Sequence, residues 1–249
     1  MSLTVKLALS PLLVAQALLT RRKLPRLPEA QGERQGTVGV AGVAGTAPLR
    51  LLIAGDSSAA GVGVVQQREA LALQLSTHLA QQANVAVAWQ LVAQSGLSTA
   101  QTLQLLQRAE WTHADVAVVV TGVNDVIDQV ASHHAVAHRE VLANWLRNAR
   151  GVQHVVFSPL PPVHQFPGLP QPLRWVAGRD AARHNLALRR WVATRSDVSC
   201  VDMEVPLNRG VMASDGFHPG VPVYRYCASA IAEHISTRVW PTLWTGARV

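Results

Sequence analysis

Four short stretches of this 249-residue chain carry side chains that could make or break an acyl bond. The first is "LLIAGDSSAAGVGV", residues 51–64, where an apolar run stops at Gly55 and turns through Asp56, Ser57 and Ser58 into small residues. A serine hydroxyl is a poor nucleophile until a base takes its proton. The base needs a carboxylate to fix its tautomer and steady its cation, and the oxyanion that forms needs aimed donors. "DGFHP", residues 215–219, offers base and acid together: Asp215 and His218 are three residues apart, close enough for a carboxylate oxygen to reach Nδ1. Pro219 denies His218 the helical region and leaves Nε2 to face the serine. Gly96 in "AQSGLSTAQT" can present an N–H with no side chain in the way, the Ser57 N–H can point the same way, and Asn124 in "GVND" can donate from its amide. A phosphate-cradling loop fits residues 55–65 poorly, because "GDSSAAGVGVV" has neither a G-K-[ST] ending nor a G-x-G-x-x-G spacing. A tight strand-to-helix turn explains Gly55 and Ser57 by themselves but not the polar groups elsewhere.

Groups so far apart in the chain must be gathered by the elements between them. Apolar, β-branched runs at "LRLLIAG", "VAVAWQLVA", "VAVVVTG", "HVVFSPL" and "VSCVDM" have strand length. Helical patterns alternate with them at residues 66–83, with Leu71, Leu75 and Leu79 on one face, and at 98–109, 133–150, 176–195 and 223–239. Such alternation predicts a mostly parallel sheet with helices on both faces, and ligands bind such sheets beyond the carboxyl ends of the strands. Ser57, Gly96 and Asn124 follow strand ends, where that rule points.

"GDSS" at 55–58, Gly96, "GVND" at 122–125 and "DGFHP" at 215–219 resemble, in order and spacing, the four sequence blocks of the SGNH branch of the GDSL-type esterases and lipases. The likeness spans about residues 50–240. It implies a flavodoxin-like α/β/α fold of three layers on a mostly parallel five-stranded sheet. It also implies Ser57 as nucleophile, Asp215 and His218 as its partners, and an oxyanion hole from the Ser57 and Gly96 N–H groups and the Asn124 side chain. No metal and no cofactor is implied. Ser58 stands where the commonest form of the motif has Leu, a departure that touches the acyl pocket more than the chemistry. There is no G-x-S-x-G elbow, and acid and base are close in sequence, so the chain does not look like an α/β-hydrolase.

Composition sets the bounds. Hydrophobic residues are 49% and charged ones 15% of the chain, which excludes a disordered or fibrous class. The net charge of +7 raises nucleic acid or an anionic membrane as partner. The positive charge is nearly all Arg and is scattered, so no nucleic acid is expected. The densest group, Arg174, Arg179, Arg183, Arg189, Arg190 and Arg195, falls on a helical pattern and reads as a solvated face. Cys200 and Cys227 are too few for a disulfide scaffold and read as buried thiols. Residues 1–49 divide into an N-terminal apolar helix and a Pro/Gly-rich connecting segment, and residues 50–249 form the hydrolase-like domain. "LALSPLLVAQALLT" is shorter than the roughly 20 residues a membrane span needs. With "RRK" after it, the run suits a helix lying on the protein or making peripheral membrane contact. A cytoplasmic, membrane-peripheral location follows, with export behind a cleaved signal as the alternative.

Asp56 and Asp125 read as carboxylates accepting N–H bonds at helix starts. His134 and His138 have metal-ligand spacing on a helix but no third ligand nearby, so a solvated face is the better reading. The Pro-rich segment 159–175 holds Phe166 and Trp175 and is either a stiff crossover or a wall lining a substrate site together with Ser58. The leading function is a serine hydrolase for carboxyl esters of short to medium acyl chains acting on a small-molecule ester. Carbohydrate O-acetyl esterase and lysophospholipase or thioesterase are variants of it. The rival from another class is a non-catalytic lipid-surface or anion-binding protein on an esterase-like scaffold.

Overall fold

All five apolar runs form parallel strands, and the helical patterns between them form helices. The computed structural model describes residues 3–39, 47–205 and 207–245. The chain begins with α1 (Leu3–Lys23) and β1 (Gln35–Val38). Then β2 (Leu49–Gly55) leads through a single turn, α2 (Ser57–Ala60), to α3 (Leu71–Ala83), and β3 (Val87–Ala93) leads to α4 (Thr99–Arg108). Next, β4 (Val116–Val120) is followed by α5 (Val123–Ile127) and α6 (Ser132–Arg150), and β5 (His154–Phe157) by α7 (Leu173–Val192). Last come β6 (Val198–Cys200) and α8 (Val221–His234), which runs through a π-helical stretch (Ile235–Val239) into α9 (Trp240–Thr245).

The sheet order is β1-β3-β2-β4-β5-β6, and every pairing except β1 with β3 is parallel. The five parallel strands, taken in sequence, have the order 2-1-3-4-5 of flavodoxin-like sheets. β1 adds a sixth strand that the sequence pattern does not announce, because its four residues, "QGTV", are mostly exposed and carry no apolar alternation. Successive residues of each parallel strand face opposite layers. Leu51, Ile53, Val116 and Val118 meet Leu71, Leu75 and Leu79 of α3 and Tyr224, Ala228 and Ile231 of α8. Leu52, Ala54, Ala117 and Val119 meet Leu106 of α4, Leu142 and Leu146 of α6 and Leu188 of α7. Each Val, Leu or Ile among them contributes roughly 1.5–3 kcal/mol by leaving water, so the two layers hold the strand ends in fixed relation.

The arginines of α7 are mostly engaged. On α7, Arg183 pairs with Asp180 and Arg189 with Asp202; Arg195, just past the end of the helix, pairs with Asp197. Cys200 and Cys227 are free thiols, half-buried rather than fully buried. Burial pushes them up to about 11 and about 12, respectively, so neither is a ready nucleophile.

Candidate active site

The turn that presents Ser57 is imposed by crowding. Gly55 ends β2 at φ +156°, and a Cβ there would lie 2.0 Å from the Val120 carbonyl oxygen of the neighbouring strand. Only glycine fits, and the next N–H, of Asp56, donates to that same carbonyl at 3.1 Å. Asp56 caps α2, accepting from the Ser58 N–H at 3.0 Å. Ser57 is therefore held as the first helical residue at the carboxyl end of β2, half-buried, with its hydroxyl at the rim of the sheet.

A tight loop from the C-terminal part of the chain closes on it. Ala213 N–H donates to His218 O at 2.9 Å, Gly220 N–H to Val211 O at 3.0 Å, and Met212 and Pro219 form a bridge across the loop. His218 Nε2 lies 3.1 Å from Ser57 Oγ, and His218 Nδ1 lies 2.6 Å from Asp215 Oδ2. The other carboxylate oxygen of Asp215 accepts from the N–H groups of Phe217 and His218, both at 2.9 Å. Burial alone would raise the Asp215 carboxyl; the bonds from the His218 ring and from these two N–H groups outweigh it and hold the group below its ordinary value. An ionised carboxylate makes Nδ1 the donor and leaves Nε2 to accept the serine proton.

Asn124, near the start of α5, donates from Nδ2 to Leu97 O at 2.9 Å and more loosely to Asp56 Oδ2 at 3.5 Å. Its amide is thereby tied to the loop that holds Gly96 and to the residue before Ser57. Gly96 has φ +84°, and a Cβ there would meet nothing within 4 Å, so glycine is required by backbone conformation rather than by space. Among the described residues, no protein acceptor is hydrogen-bonded to the N–H of Ser57 or of Gly96. Asp56 is fully buried, and burial lifts it to about 7, with the nearby Asp125 adding to the rise and the Ser58 N–H and His218 opposing it.

A buried scaffold beneath Asn124 has no sequence signature beyond the lone Asp125. Asp125 accepts from the Thr99 N–H at 3.0 Å and from the Thr99 hydroxyl, capping α4 from a different element, and Arg139 Nη2 lies 3.8 Å from it. Arg139 is 1% exposed and also donates to Ala135 O and Thr121 O. Asp56 thus serves the start of its own helix, as its position suggests, whereas Asp125 serves the start of α4 rather than of α5, on which it sits.

Ser57 and His218 open onto a cavity of about 710 Å³. Ser58 and Phe166 line it, with Leu160 of the same Pro-rich segment, and Met203, Leu207 and Phe217 add apolar wall that the sequence does not flag. Trp175 does not line it. The Pro-rich loop ends sooner than the sequence suggests, α7 begins at Leu173, and Trp175 falls on the outer face of that helix, 40% exposed, with the Arg179 guanidinium over its ring at 5.5 Å. The loop itself is pinned by paired bonds between Leu160 and the Asn185 amide at 2.8 and 2.9 Å. It is joined to the His218 loop through the Gly168 N–H donating to Gly216 O at 2.8 Å, with the Phe166 ring edge-on to Phe217. His134 is exposed on α6 and His138 half-buried. Among the described residues no cluster of three or more His, Cys, Asp or Glu could hold a metal ion.

An imidazole bonded on one side to a carboxylate and on the other to a hydroxyl can take the hydroxyl's proton and return it to a departing group. The solved structures similar to this chain include a lipase from a goat rumen metagenome, at TM-score 0.60 and 19% identity, covering 76% of this chain and 97% of that one. TesA is similar at TM-score 0.55 and 22% identity, covering 78% and 97%. Est24, a carbohydrate acetylesterase from Sinorhizobium meliloti, is similar at TM-score 0.56 and 12% identity, covering 76% and 98%. No curated protein sequence matches. The sequence model of the GDSL-like lipase/acylhydrolase family matches residues 53–226, from inside β2 to the middle of α8. With well over half its length so matched, the chain belongs to the GDSL-like lipase/acylhydrolase family.

Proposed function

We propose that this chain is a serine hydrolase that cleaves carboxyl esters of short to medium acyl chains through an acyl-enzyme. The observation that carries the reading is the unbroken hydrogen-bond chain from Asp215 through His218 to Ser57 at the mouth of an apolar cavity. Ser57 Oγ attacks the ester carbonyl while His218 Nε2 takes its proton, and Asp215 steadies the imidazolium. The carbonyl oxygen, now an oxyanion, is held by the Ser57 and Gly96 N–H groups and the Asn124 amide. Collapse breaks the bond to the alkoxy oxygen, which leaves as the alcohol with the proton from His218. Water then attacks the acyl-serine, His218 takes the water's proton and returns one to Ser57 Oγ, and the carboxylic acid departs.

The apolar wall of Leu160, Phe166, Met203, Leu207 and Phe217 favours an acyl chain over a sugar ring in the cavity. It supports a simple acyl ester, or a lysophospholipid or thioester, ahead of a carbohydrate acetate. Hydrolysis of p-nitrophenyl acetate and butyrate by the native protein and by Ser57→Ala tests the mechanism, together with mass labelling of Ser57 by a fluorophosphonate. Loss of turnover and of labelling in the variant is expected. Equal rates in the two proteins would sink the proposal and favour a non-catalytic lipid- or anion-binding role on the same scaffold.

A further inference from the structure

Five of the eleven large apolar side chains exposed among the described residues lie on one helix, α1: Leu7, Leu12, Val14, Leu18 and Leu19. At 100° per residue Leu7, Val14 and Leu18 form one stripe and Leu12 and Leu19 a second beside it, with Ala8, Pro11 and Ala15 between them. Leu13 faces the other way and is buried. No charged residue occurs from Leu7 to Thr20. An ordinary surface helix puts charge where α1 puts leucine.

Cations follow at one end. Arg21, Arg22 and Lys23 close the helix and Arg26 follows, all exposed, and none has a carboxylate partner among the described residues. Arg21, Arg22 and Arg26 line a groove of about 450 Å³ together with Leu18 and Leu24, which sets guanidinium groups beside apolar side chains. No helix among the described residues is long and apolar enough to cross a membrane. The helix is nonetheless fixed to the protein in a defined place. The Gln16 amide donates to Gln171 O at 2.7 Å and accepts from the Leu173 N–H at 3.1 Å. That anchors α1 to the far end of the loop whose near end, Ser158 to Phe166, walls the cavity beside Ser57.

We infer that the outer face of α1 is a docking surface for an anionic phospholipid bilayer, its leucines lying at the acyl boundary and Arg21, Arg22, Lys23 and Arg26 meeting lipid phosphates. Apolar area and cationic charge on one interfacial helix are the two attractions that such a surface offers. A second copy of this chain would answer the leucines but not the cations, since copies carry the same charge. Bound this way, the protein presents the cavity-walling loop next to the bilayer, where ester-linked acyl chains are concentrated. The docking itself does not depend on the esterase reading.

The test is co-sedimentation of the full chain with vesicles of phosphatidylcholine alone or mixed with phosphatidylglycerol, at low and high salt. The native protein, Val14→Asp/Leu18→Asp and Arg21→Glu/Arg22→Glu/Lys23→Glu are compared. The native protein is expected to bind the mixed vesicles and to be released by salt. The apolar double variant should bind at least about tenfold more weakly, and the charge-reversed variant should lose its preference for anionic vesicles, since each cation near such a surface is worth about fivefold. Thermal melting and hydrolysis of a soluble p-nitrophenyl ester should be unchanged in both, which separates failure of docking from failure of catalysis. Native protein left in the supernatant, or variants that bind as well as the native protein, would overturn the inference. So would a dimer, seen by light scattering, that Val14→Asp/Leu18→Asp splits while vesicle binding is absent.

Discussion

Replacing Asp56 by Asn isolates the cost of seating a carboxyl beside Ser57. Asn keeps the shape and an oxygen for the Ser58 N–H but cannot ionise. Asp56 is lifted from an ordinary 3.8 to about 7, chiefly by burial, a rise of about three units, worth about 4 kcal/mol at 1.36 kcal/mol per unit. The sign follows from proton counting. Between pH 4 and 7 the folded protein holds this proton and the unfolded chain has lost it, so the stability contributed by Asp56 falls as pH rises through that window and stays low above it. Integrated from pH 5 to pH 8, the fall is about 2–3 kcal/mol. His154, held to about 4, and His184 and His234, also lowered by burial, push wild-type stability the other way over part of this range. They are present in both proteins and cancel in the difference. Urea unfolding of the native protein and Asp56→Asn at pH 5, 6, 7 and 8 is the assay. The variant should gain on the native protein by about 2–3 kcal/mol across the series. A gap that stays constant within about 0.5 kcal/mol, the usual effect of a neutral surface change, means that Asp56 is already ionised at pH 5, and the argument from burial is then refuted.

Two further substitutions probe the layers around it. Asn124→Ala removes one of the proposed oxyanion donors and should lower kcat about 100- to 1000-fold with little change in KM; a loss below about fivefold by steady-state kinetics on p-nitrophenyl butyrate would take Asn124 out of that role. Asp125→Ala strands the buried Arg139 and the Thr99 N–H, and urea unfolding should show a loss of about 3–5 kcal/mol. A loss under about 1 kcal/mol would mean that Arg139 finds enough compensation from the Ala135 and Thr121 carbonyls.

Periodicity made the parallel sheet and its helices legible, because strands buried on both faces must be continuously apolar and the leucines of α3 repeat at helical spacing. The Ser57, Asp215 and His218 constellation was legible for a different reason: each residue sits in a motif whose glycine or proline dictates the local backbone. β1 was hidden because an edge strand of four exposed residues has no apolar face to reveal it. Trp175 was misplaced because an aromatic ring after a Pro-rich run reads the same whether it lines a wall or crowns a helix, and only the start of α7 at Leu173 decides between them. The Thr99, Asp125 and Arg139 cluster could not be read at all, since its partners lie on α4, α5 and α6 and meet only after the sheet has folded.

Asp215 and His218 ride together on the stretch from Val211 to Gly220, which closes on itself through a few backbone bonds and is stitched to the Pro-rich loop at Gly168. Both leucine-rich layers lie elsewhere. On the proposed mechanism, loosening that one stretch would disarm two of the three reacting groups at a stroke while both layers stay packed. Competence and foldedness are therefore separable properties of this molecule, and a chain of this design can fall silent without coming apart.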